Sequence, residues 1–89
     1  MEINPKDTDA SKLLAQILIK EGNFEQAKTV VEEALDQSPY SGDLYYFLAN
    51  TTPNDKNTKI NNLKKALENH RTLTINPNQI KNELKMLKI

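Results

Sequence analysis

A chain of 89 residues, 37% of them hydrophobic, is one domain at most and buries only about 60–65% of its unfolded surface, so its core is thin. The absence of cysteine excludes disulfide frameworks and thiolate metal sites, and five aromatics with two glycines fit helical layers better than a sandwich or barrel. Zero net charge argues against a plainly basic nucleic-acid binder, and no apolar run approaches the roughly 18–20 residues that span a bilayer.

The zero is a balance of unlike halves. Residues 1–55 carry ten acids against four lysines, whereas residues 56–89 carry eight bases against Glu68 and Glu83. Solvated helix faces account for such a split, and a partner surface or head-to-tail self-association is the alternative. Met1 to Ala10 is acidic and lacks an apolar centre, unlike a signal peptide, so a cytoplasmic, soluble protein is the expectation.

In chain order, the spacing predicts five helices. The first starts at Pro5 or Thr8, with Asn4 as cap, and runs to Glu21; Leu13, Leu14, Ile17 and Leu18 recur at three- and four-residue steps until Gly22-Asn23 stops it. The second, Phe24 to Gln37, sets Ala27, Val30, Val31, Ala34 and Leu35 on one stripe and ends at Ser38-Pro39. A short third segment, Gly42 to Asn50, carries Leu44, Tyr45, Leu48 and Ala49, and Thr52-Pro53-Asn54-Asp55 ends it and caps the fourth, which runs to about Asn69. The last starts at Asn76-Pro77, with Gln79 placed to reach back to the cap and Ile75 and Ile80 placed to staple across it.

Two helix pairs of similar layout suggest a repeat, and the spacing supports it. Pro5 and Pro39 lie 34 residues apart, and Leu14-Ala15 recurs as Leu48-Ala49 at the same interval. The chain resembles the tetratricopeptide repeat family: Leu14, Ala15, Leu18, Gly22-Asn23-Phe24, Ala27, Val31, Ala34, Leu35 and Pro39 sit where that family places its signature residues. The match is strong over Ser11–Pro39 and partial over 42–70, where aligning Ala66-Leu67 with Ala34-Leu35 requires two residues fewer in the turn.

The resemblance implies an all-α fold, about five helices stacked as antiparallel pairs in a short right-handed solenoid. Residues 1–89 would be a single domain: a first repeat over about 8–41, a degenerate second over about 42–75, and a capping helix over about 77–88. It also implies a protein-interaction module whose groove, lined by the first helix of each repeat, takes a peptide or partner helix. Carried over by position, the groove residues are Lys12, Gln16 and Ile19, then Asp43, Tyr46, Phe47 and Asn50. Some members clamp a terminal carboxylate with basic groove residues, and Lys12, Lys81 and Lys85 fall on matching places, although Gln16 and Phe47 stand where asparagines are expected. Lys81, Lys85 and Lys88 read more simply as an ordinary solvated stripe at helical spacing.

Chemistry finds little support. His70 has no second His or Cys to complete a metal site, Glu32 and Glu33 point apart on a helix, and no phosphate loop or nucleophile elbow occurs. No enzyme activity, cofactor or metal is expected. One of Tyr46 and Phe47 is expected to be exposed or groove-facing, since both cannot share the Leu44–Leu48 face. The competing readings are an oligomerising piece of a longer repeat protein, a homodimer, and weak nucleic-acid contact through Lys56, Lys59, Lys64, Lys65 and Arg71.

Overall fold

The computed structural model describes residues 8–52 and 54–87 and measures 41 × 28 × 18 Å. Five α-helices follow one another: α1 (Thr8–Lys20), α2 (Phe24–Gln37), α3 (Gly42–Asn50), α4 (Lys56–Glu68) and α5 (Pro77–Leu87), with a single 3-10 turn at His70–Thr72. No strand occurs among the described residues. This is an all-α, repeat-like stack: α1 packs on α2, both pack on α3, α3 on α4, and α4 on α5. The expected Asn4–Pro5 cap and the residues Pro53 and Lys88 lie outside the described residues.

Local signals set the ends. Gly22 adopts φ 81°, and the N–H groups of Gly22 and Asn23 donate to the carbonyls of Ile19 and Leu18 at 3.1 and 2.8 Å. That pair of bonds is the Schellman closure, which needs a left-handed residue where glycine stands. Ser41 caps α3 by accepting from Leu44 N–H at 3.3 Å, and Asp55 caps α4 by accepting from Thr58 N–H at 3.1 Å.

The degenerate second pair has a definite cause. α1 has 13 residues and a three-residue link to α2, whereas α3 has nine and a five-residue link to α4. Losing four residues from the helix and gaining two in the link starts α4 two residues early, the offset of the Ala66-Leu67 alignment; the shortening thus lies in α3 and not, as expected, in the turn, which is longer. The hydroxyls of Thr51 and Thr52 donate to the carbonyls of Leu48 and Ala49 at 2.7 and 3.3 Å, so the shortened helix still has its last carbonyls satisfied.

The core is two clusters joined by shared residues. Ala15, Val31, Ala34, Leu44 and Phe47 form the first, and Ala49, Leu63, Ala66, Ile80 and Leu84 the second; Tyr46 and Ile75 pack against both. Ala15 and Ala49, the small residues at the 34-residue interval, are both fully buried, one in each cluster. Alanine there lets helix backbones approach closely, so each pair buries its face on the next.

The start of α5 differs in detail from the expected capping box. Asn76 does cap, its Oδ1 accepting from Asn78 N–H at 2.9 Å. The Gln79 side chain, however, leaves the cap and donates from Nε2 to the Tyr46 hydroxyl at 3.0 Å. An amide that can reach a phenol on a neighbouring helix joins two elements, a gain that a local cap does not offer.

Candidate partner-binding face

On α1, Lys12, Gln16 and Ile19 follow at steps of four and three and share one face; on α3, Asp43, Tyr46 and Asn50 do the same. One contact brings these faces together. Lys12 Nζ lies 3.2 Å from Asp43 Oδ2, and it also pairs with Asp9 at 3.6 Å. Asp43 is 1% exposed and accepts two more bonds, from the N–H and hydroxyl of Thr74, both at 2.7 Å. The carboxylate thus has three charged or polar donors, which is what a buried acid requires.

Lys12 is therefore already paired, and the carboxylate clamp loses its first cation. Lys81 and Lys85 are exposed on α5, one turn apart. Two residues advance a helix by about 200°, so Lys81 turns away from the side that Gln79 presents to Tyr46, and Lys85 follows it. Of the three lysines of the expected clamp, Lys12 is held by Asp43, and Lys81 and Lys85 are exposed.

Phe47 is a second correction. It is 8% exposed and sits in the first cluster between Ala15, Val31, Ala34 and Leu44, so it offers no surface to a partner. The expectation assumed one buried stripe, but α3 lies between α1 and α2 on one side and α4 on the other. A helix covered on several sides buries residues all round. Tyr46, beside it at 6.0 Å between ring centroids and edge-on, is the half-buried one.

What the face retains is Gln16, exposed, with Ile19, Tyr46 and Asn50 half-buried. Gln79, to which the sequence assigns only a capping role, extends this side onto α5 through its bond to Tyr46. Nothing in local sequence distinguishes that use, because the partner is 33 residues away.

The remaining candidates are peripheral. His70 is exposed at the start of the 3-10 turn and does not extend the α4 stripe. Lys65 stands over the Tyr45 ring at 5.7 Å, and the Tyr45 hydroxyl donates to the Pro39 carbonyl at 3.0 Å. Among the described residues no group of three or more His, Cys, Asp or Glu could hold a metal ion, and no helix is long and apolar enough to cross a membrane.

The family model for the tetratricopeptide repeat matches residues 1–50. Neither the curated proteins nor the solved structures contain a match to the chain. The matched span holds α1, α2 and α3, the first cluster and both faces joined by Lys12 and Asp43. Covering more than half of the 89 residues and agreeing with the stacked helix pairs, it shows that the chain belongs to the tetratricopeptide repeat family, whose members serve in general as protein–protein interaction modules.

Proposed function

We propose that this chain binds an extended peptide or a partner helix along the side shared by α1 and α3, with Gln16, Ile19, Tyr46 and Asn50 as the contact residues. The observation that supports this most is the combination on that side of amides with half-buried apolar groups. Gln16 is exposed and Asn50 half-buried, while Ile19 and Tyr46 lie against the core. Amides can pair with a peptide backbone irrespective of its sequence, and a fixed tyrosine gives broad contact at low entropic cost. Lys12, held by Asp43, supplies orientation and field, and Phe47 supports Tyr46 from beneath. Lys81 and Lys85 stand outside this contact.

A displayed random-peptide library panned on the whole chain tests it. Enriched peptides should lose at least about ten-fold in affinity to a Gln16→Arg/Asn50→Arg variant, equivalent to about 1.4 kcal/mol. Peptides that bind this variant as tightly as the parent, or a failure to enrich any, would count against the groove.

A further inference from the structure

Among the described residues the two ends of the helix stack are unlike. At the first end, the edge formed by α1 and α2 carries a groove of about 440 Å³ lined by Leu14, Leu18, Gln26, Thr29 and Val30. Leu14 and Leu18 belong to neither core cluster, and Ile17, on the same turn, is 43% exposed. In a stack whose every helix pair buries its face on a neighbour, an end like this has no cover among the described residues.

At the other end, Lys59, Glu83, Met86 and Leu87 line a hollow between α4 and α5. Met86 is 75% exposed, and Glu83 Oε2 is buried without a hydrogen-bond partner among the described residues. Met is unbranched and adapts to irregular grooves.

The charges of the ends are opposite. From Thr8 to Gln37 there are six acids (Asp9, Glu21, Glu25, Glu32, Glu33, Asp36) against three lysines; from Lys56 to Leu87 there are seven bases against Glu68 and Glu83. Like ends repel and unlike ends attract, so a second copy fits the groove in one sense only.

We propose that the Leu14–Leu18–Val30 groove of one molecule seats on the Met86–Leu87 end of α5 of a second copy, head to tail. Because the contact joins different surfaces, it leaves a free groove and a free α5 end on every assembly and propagates. This surface is separate from the face joined by Lys12 and Asp43.

Sedimentation equilibrium of the whole chain, from about 10 μM to about 1 mM, at low salt and at about 0.5 M salt, tests the proposal. At low salt the weight-average mass should at least double over that range, and high salt should shift it back toward the monomer. Ile17→Lys/Thr29→Lys blocks the groove and Met86→Glu blocks the other end; all three positions are exposed, and the helical circular-dichroism signal checks folding. Each variant alone should stay monomeric, while an equimolar mixture should form a one-to-one dimer and nothing larger. A parent chain monomeric at 1 mM in low salt would overturn the proposal. So would a Met86→Glu chain that associates as well as the parent, since that means a contact between like ends.

Discussion

The Lys12 ammonium and the Asp43 carboxylate, 31 residues apart in the chain, meet at 3.2 Å, and Asp43 holds Thr74 by two further bonds of 2.7 Å. One buried carboxylate thus ties α1, the start of α3 and the segment that leads into α5. The three attachments are unequal in burial, with the Lys12 side chain 22% exposed and that of Asp43 only 2%.

Asp43→Ala should therefore cost about 3 kcal/mol, because it strands the Thr74 N–H and the Lys12 charge together. Lys12→Met should cost about 1 kcal/mol, since the carboxylate keeps both Thr74 donors. Urea unfolding of the two single variants and the double variant measures the difference. Equal single costs would mean that the lysine, not Thr74, carries the site.

The two glycines should respond differently to alanine. A Cβ on Gly42 would lie 2.6 Å from the Asn69 carbonyl oxygen and 3.0 Å from that of Ala66, so α3 and the end of α4 would have to part. Gly42→Ala is expected to cost about 2–3 kcal/mol by overpacking. A Cβ on Gly22 meets nothing within 4 Å, and only its φ of 81° resists, which predicts about 1 kcal/mol. Thermal unfolding of both variants should rank them in that order.

Adjacent aromatics should separate core from surface. Phe47→Ala is expected to cost about 3–4 kcal/mol, the loss of a buried ring with a cavity left behind. Tyr46→Phe removes only the hydroxyl that accepts from Gln79, and should cost about 1 kcal/mol or less. Chemical denaturation distinguishes the two, and a mild Phe47→Ala would contradict the packing of the first cluster.

Stability should fall in acid partly through Asp55. The Thr58 hydroxyl, 2.7 Å away, and the Thr58 N–H, at 3.1 Å, favour the charged carboxylate and hold its pKa below the ordinary 3.8. The folded chain binds that proton less readily than the unfolded one, so the stabilisation is complete above about 3.8 and disappears as the pH falls through the folded value. Asp55→Asn does not titrate there. Its stability gap from the parent should narrow steadily between pH 5 and pH 2, as read from denaturant midpoints; a constant gap would remove Asp55 from the acid response.

The candidate face was legible in part. Gln16, Ile19, Tyr46 and Asn50 could be placed by the 34-residue interval because helical periodicity assigns a face to each position. Two facts that bear on the lysine clamp are not contained in periodicity. Lys12 meets an acid 31 residues away, and the rotation of α5 about its axis is set by Ile80 and Leu84 entering the second cluster.

By itself the sequence determined the five helices and their ends, since apolar spacing, caps and the Gly22 turn act over one or two turns of local chain. It also determined the repeat, because Ala15 and Ala49 recur where two backbones must approach. Only the tertiary structure decided which side of α3 faces out. That helix is covered by α1, α2 and α4 at once, so Phe47 is buried, Tyr46 is left at the edge, and Gln79 reaches across to it instead of capping its own helix. Burial on several sides depends on how elements pack, and no single periodic stripe records it.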